Sequence, residues 1–116
     1  MLEEISIDSK ISKENLIEMF FSNVEMKSNG CFLWLGNKNA LGYGTLYYKK
    51  NWMAHRFIFV LINGPFNKSL FVCHKCDIPS CVNPKHLFLG TQKQNMMDAK
   101  NKARLLLSGL SIYPKF

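Results

Sequence analysis

Apolar and polar positions along the chain alternate between two rhythms. Leu16, Ile17, Met19, Phe20 and Val24 recur at helical spacing behind Ser12, an N-cap residue type, so the pattern predicts a helix over about 13–24. Asn29-Gly30 is a turn signal, and Cys31-Phe32-Leu33-Trp34-Leu35 reads as a strand ended by Gly36. After a polar loop, Gly42-Tyr43-Gly44 leads into a second strand, Thr45-Leu46-Tyr47-Tyr48. Lys49-Lys50-Asn51 turns the chain into a third strand around Trp52 to Ala54, which together predict an antiparallel sheet. The apolar run from His55 to Ile62, stopped by Asn63-Gly64-Pro65, is read as a buried helix. A short strand over Leu70–Cys73, a polar segment, and a second short strand over His86–Leu89 follow. Thr91 is placed to cap a last helix over about 92–103, with Asn95, Met96, Ala99 and Ala103 on one side. The expected class is α+β in one domain. A helical segment spans 1–30, a core 31–104, and a tail 105–116.

Composition narrows what such a chain can be. At 116 residues it holds one small core, and short chains of this kind often need a disulfide or metal staple. An apolar fraction of 47% excludes a disordered chain. Fifteen Lys and Arg against eight Asp and Glu leave +7, which points to a polyanionic partner such as nucleic acid. The longest apolar run, Phe57–Ile62, is far shorter than the roughly 20 residues that span a bilayer, and the acidic start Met1-Leu2-Glu3-Glu4 is unlike a signal peptide. These features predict a soluble, cytoplasmic protein with no membrane partner, in a reducing compartment where cysteines serve metals rather than disulfides.

Five of the seven Cys and His residues fall between Cys73 and His86. Cys76, Cys81 and His86 are spaced five apart, with Pro79 and Pro84 stiffening the loops between them. Three such ligands can converge on one zinc ion, which takes four ligands tetrahedrally. The fourth is Cys31 or Cys73. Strand alternation puts Cys73 opposite His74 and among apolar neighbours, whereas Cys31 opens a strand after a turn and would tie the N-terminal half to the cluster, so Cys31 is the expected ligand. His74 is then left over beside the cluster as a candidate general base. Asn95 on the following helix offers an oxygen to a hard cation such as Mg²⁺. A base beside a divalent ion is the minimum for hydrolysing a phosphodiester.

Taken together, Cys31-Phe-Leu-Trp34-Leu-Gly36, Gly42-Tyr-Gly44, Ala54-His55-Arg56, His74-Lys-Cys76-Asp77, Cys81-Val-Asn83-Pro84-Lys-His86-Leu87 and Gly90-Thr91 followed by Asn95 resemble the HNH (His-Me finger, ββα-metal) endonucleases. The subgroup most resembled is the His-Cys-box homing endonucleases and the phage and intron HNH proteins similar to them. The resemblance implies a ββα-metal core with a structural zinc site on Cys31, Cys76, Cys81 and His86. It implies His74 as general base, Asn95 as the Mg²⁺ ligand, and Arg56 at the scissile phosphate. Many family members carry an Asp immediately before the catalytic His; here that position is Cys73, as suits the subgroup that relies on a single Asn.

The partner expected on this reading is double-stranded DNA. Lys38, Lys49, Lys50 and Lys85, with Tyr43, Tyr47 and Trp52, are the candidate DNA contacts, since a two-stranded ribbon can enter the major groove. His55 is expected to be structural. A cut through both strands would need two subunits, and the apolar tail around Leu105–Leu107, Leu110 and Ile112 is a candidate homodimer contact. The competing expectation is a zinc-stapled DNA-binding module without catalysis. A small zinc adaptor for protein partners fits the +7 charge less well.

Overall fold

The computed structural model describes residues 1–91. The helix expected over 92–103, Asn95 upon it, and the tail with its proposed dimer contact lie outside the described residues. Within them the order is β1 (Leu2–Glu3), α1 (Lys13–Phe21), β2 (Val24–Met26), β3 (Phe32–Trp34), β4 (Thr45–Tyr47), β5 (Asn51–Met53), α2 (Ala54–Asn63), β6 (Phe66–Asn67), β7 (Phe71–His74), a 3₁₀ turn (Pro84–His86) and β8 (Leu87–Gly90).

The α+β class is as expected, but the single antiparallel sheet is replaced by four separate two-stranded antiparallel ribbons, β1–β6, β2–β3, β4–β5 and β7–β8. What joins them is α2. Ala54, His55, Phe57, Ile58, Val60 and Leu61 are all buried, so the helix is covered on nearly every side. Its stop is the one expected: Gly64 takes a φ of 89°, which favours glycine, and its N–H bonds to the Val60 carbonyl.

Helix α1 begins where its cap predicts, with the Ser12 hydroxyl accepting from the Asn15 N–H at 3.1 Å. It ends at Phe21 rather than Val24. Ser22 turns its hydroxyl back onto the Met19 carbonyl at 2.6 Å, and Val24 pairs instead with Trp34 across β2–β3. That hairpin crosses the boundary at residue 30, so the N-terminal segment is continuous with the core. Leu16 and Phe20 seal the contact: the Phe20 ring lies 4.8 Å from the Trp34 ring and stacks on Phe57 of α2 at 6.1 Å.

Trp34 explains two glycines of the sequence motifs. A Cβ on Gly36 would stand 2.7 Å from the indole Nε1, and one on Gly44 would stand 2.6 Å from Cδ1. The ring is therefore sandwiched between two backbone segments that only glycine lets this close. No helix among the described residues is long and apolar enough to cross a membrane.

Candidate metal centre and active site

The loop from Lys75 to His86 is clamped onto β3 by backbone bonds. The Val82 N–H donates to the Phe32 carbonyl at 2.7 Å, and the Trp34 N–H to the Ser80 carbonyl at 2.9 Å. Leu33 and Cys81 face each other as a bridge. This pairing carries Cys81 to the start of β3, where Cys31 waits. Cys31 is aimed by its own turn: its N–H bonds to Asn29 Oδ1 at 3.0 Å, and Gly30 takes a φ of 89°. Asn83 then ties the two segments, donating from Nδ2 to the Gly30 carbonyl at 2.6 Å. Its own Oδ1 accepts from the Lys85 N–H, capping the 3₁₀ turn that presents His86.

The result is a cluster of Cys31, Cys76, Cys81 and His86 whose ligand atoms all lie within 4.8 Å of one another. His86 Nδ1 is 3.7 Å from Cys31 Sγ and 3.6 Å from Cys81 Sγ. A tetrahedral zinc ion with ordinary bond lengths places S···N edges at about 3.6 Å. Three thiols and one imidazole at those separations could hold a metal ion such as zinc, and the four residues are those expected. Burial, then the neighbouring Cys81 and Cys76, push the Cys31 thiol up to about 12, and burial likewise raises Cys76. Three thiolates in so small a volume repel one another; a divalent cation among them reverses that penalty and favours the deprotonated ligands. Cys73 is excluded from the cluster as expected: it is buried within β7, and its Sγ lies against the Phe71 carbonyl.

His74 closes β7 next to this cluster and is 1% exposed. Its Nε2 lies 2.9 Å from the Cys81 carbonyl oxygen. A carbonyl only accepts, so Nε2 carries a proton in this contact. The sequence alone does not name this acceptor; the zinc-ligand loop supplies it.

Beside His74 stands His55, the first turn of α2, with ring centroids 4.5 Å apart. His55 Nε2 donates to the Val72 carbonyl at 3.0 Å, and its buried Nδ1 has no hydrogen-bond partner. Burial, then the charges of His74 and Arg56, hold His55 well below the usual histidine range, so it is neutral. Tyr43 covers both rings, at 5.6 Å from His55 and 5.9 Å from His74.

Tyr43 is 2% exposed and Trp52 is buried with its Nε1–H on the Tyr48 carbonyl, which takes both off the surface and corrects their assignment as DNA contacts. Their aromatic rings fill the interior instead. Lys38, Lys49, Lys50 and Lys85 are exposed, as is Tyr47 at 73%. Arg56 is also engaged. Its Nε donates to Glu3 Oε1 at 2.6 Å, Nη1 to the Leu70 carbonyl at 2.8 Å and Nη2 to the Lys68 carbonyl at 3.1 Å. Glu3 in turn holds Lys50 Nζ at 3.2 Å. Nothing in the sequence pattern marks Glu3 as the partner of either cation.

A Cys₃His cluster that could hold a metal ion, placed against a buried histidine held by the Cys81 carbonyl, defines the class: a small α+β domain with a candidate metal centre beside a candidate base. Residues 53–97 match the family model for HNH endonuclease. The chain is also similar to two proteins of Escherichia phage T7. Protein 2.8 is 39% identical over 92 residues, covering 77% of this chain and 63% of that protein. Protein 7.7 is 40% identical over 75 residues, covering 64% of this chain and 58% of that protein. The chain thus spans about three-fifths of the length of the curated relatives it matches, and neither name states an activity. No solved structure matches.

Proposed function

We propose that the chain is a metal-dependent DNA endonuclease of the phage HNH type that hydrolyses phosphodiester bonds, with zinc as a structural ion and Mg²⁺ as the catalytic one. The observation that carries the reading is the placement of His74: its Nε2 is held on the Cys81 carbonyl, inside a segment matching the HNH endonucleases. In this reading the ring acts in its neutral form, with Nδ1 as the atom that would take a proton from water. The hydroxide attacks phosphorus, the bond to the 3′ oxygen breaks, and that oxygen leaves opposite the attacking one.

Cys31, Cys76, Cys81 and His86 would hold the zinc; four protein ligands leave no open position, so its work is to shape the loop that supports His74. Asn95, outside the described residues, would hold the Mg²⁺, which when bound would supply positive charge to the phosphate and the departing oxygen. Arg56 adds a fixed positive charge for the scissile phosphate. Double-stranded DNA is the substrate of this reading, met by the exposed Lys38, Lys49, Lys50, Lys85 and Tyr47.

One observation favours a second reading, a zinc-stapled module that binds DNA without cutting it: His74 is buried. The two separate in one assay. Supercoiled plasmid is incubated with Mg²⁺ and either the wild type or His74→Ala. The nuclease reading expects nicking by the wild type and a loss of at least about a hundredfold in the variant. Equal background nicking by both, under conditions where DNA is bound, overturns it.

A further inference from the structure

The contact between Glu3, Arg56 and Lys50 has the build of an occupied anion site. The guanidinium of Arg56 is held in place independently of Glu3, because Nη1 and Nη2 bond to the backbone carbonyls of Leu70 and Lys68. Its Nε edge is left for an anion, and Lys50 supplies a second cation to the same carboxylate. The Lys50 ammonium is itself stationed over the Trp52 ring, 4.2 Å from its centroid. Burial pushes the Glu3 carboxyl upward, but the hydrogen bonds and charges of Arg56 and Lys50 outweigh it and hold the group ionised. A cavity of about 290 Å³ opens beside the pair, lined by Glu3, Lys50, Trp52, His55, Arg56 and Val72. It therefore reaches from the anion site to His55, the ring that stacks on His74.

Glu3 is brought there by a short strand. Strand β1 is two residues long and pairs Leu2 with Asn67 and Glu3 with Phe66; the Met1 carbonyl also accepts from the Lys68 N–H, and Ile5 just beyond packs against the core. Met1 is fully exposed and Leu2 is 60% exposed, so the one buried side chain among the first four residues is the carboxylate. A strap meant only to hold the fold is better anchored by an apolar side chain, which has no desolvation cost to recover. A carboxylate anchored by two cations can be exchanged for another anion of the same charge at little net cost, because each takes the same hydrogen bonds.

We propose that Arg56 and Lys50 form a phosphate-binding site that Glu3 occupies in the free protein, so that strand β1 is an internal competitor which a DNA phosphate displaces. This rests on the reading of Arg56 as the contact to the scissile phosphate and adds to it Lys50 and the occupant. The ligand is a phosphodiester group of the DNA backbone.

The test is binding of a fluorescent DNA duplex without added Mg²⁺, so that no cleavage is needed. Wild type, Glu3→Gln, Arg56→Gln and the double variant are compared over a range of salt. Gln keeps an acceptor for Arg56 and removes the charge. Glu3→Gln is expected to bind about tenfold more tightly at low salt, with a log–log salt slope steeper by about one to two, one for each cation released. In the Arg56→Gln background that gain must vanish. A gain that persists there is an effect of net charge and overturns the proposal, as does unchanged or weaker binding by Glu3→Gln. Should Glu3→Gln fail to fold, judged by metal content and melting temperature, Leu2→Pro breaks the pairing of β1 without touching either cation. It is expected to tighten binding in the same way, and weaker binding overturns the proposal. No binding of the duplex by the wild type overturns it too. Loss of the nuclease reading in the His74 assay leaves these binding outcomes readable.

Discussion

The two halves of the domain reach order by different means. Around α2, order comes from apolar surface: Phe57, Ile58, Val60 and Leu61 meet Phe20, Trp34, Trp52 and Phe66 in one continuous cluster. Around the Lys75–His86 loop there is little to pack. Val82 and Leu87 join the core, while the rest of the loop depends on backbone bonds to β3 and on four ligand side chains. The first half is held by burial; the second brings three cysteines and a histidine together, where a bound cation would offset the mutual repulsion of the thiolates. His74 sits on the seam. Its strand is held by His55 of the apolar half through the Val72 carbonyl, and its ring is held by the Cys81 carbonyl of the metal half. The candidate base is thus positioned only when both halves are in order.

The largest effect should come from breaking the metal half alone. Cys81→Ser is expected to abolish bound metal and cost more than about 3 kcal/mol, with nicking lost because the carbonyl that orients His74 moves. Cys73→Ser, a change of the same chemistry one strand away, should keep the metal and cost about 1–2 kcal/mol for a hydroxyl placed in the core. Metal content and melting temperature of the two variants decide it; loss of metal in Cys73→Ser would show that the ligand set is wrong. In the apolar half, Gly44→Ala should cost about 1–3 kcal/mol, because the new methyl meets Trp34 at 2.6 Å and must displace a buried indole. Metal content should not change. A neutral Gly44→Ala would mean that the Trp34 sandwich is loose.

His55 gives a smaller effect with a definite sign. It is neutral in the fold, and its ordinary value is 6.5, so below that pH the unfolded chain takes up a proton that the folded chain refuses. Stability is therefore complete above about pH 6.5 and falls as pH drops, by up to about 1.4 kcal/mol per unit. His55→Phe keeps a ring of similar size and removes the titrating group. The difference in melting temperature between wild type and variant should shift in favour of the variant between pH 7.5 and 5.5. The metal ligands titrate in both proteins and cancel in the difference, so a constant gap would show that His55 titrates in the fold as it does in the unfolded chain.

The same division explains what could be read from the sequence. The metal half was legible almost entirely: Cys76, Cys81 and His86 lie in a run of ligand residues, and the turn before Cys31 singles it out over Cys73. The C-terminal end of α2 was legible from Asn63-Gly64-Pro65, as was the start of α1 from the Ser12 cap. Strands β1 and β6, two residues each, are too short to show an alternation, and β2 was hidden because Val24 also fits the helical period of α1. The site failed to show itself where it depends on long-range placement. Tyr43 and Trp52 look like groove-reading aromatics beside lysines, yet they are interior rings. The contacts of Glu3 with Arg56 and Lys50 join positions about fifty residues apart, which no local pattern encodes.

The smallest effects belong to the β4–β5 hairpin tip, which takes part in neither half. Lys49 has a φ of 64° at the turn, and Tyr47 projects into solvent. Lys49→Ala and Tyr47→Ala should each leave stability within about 0.5 kcal/mol, since neither removes a buried contact. Their effect should instead be on DNA. A lysine that meets a phosphate contributes about 0.9 to the log–log salt slope of binding, so Lys49→Ala should flatten that slope by about one. Tyr47→Ala removes no charge and should weaken binding at every salt concentration with the slope unchanged. If both variants bind like the wild type at all salt concentrations, the hairpin is not the DNA-facing edge, and the contact falls to Lys38 and Lys85.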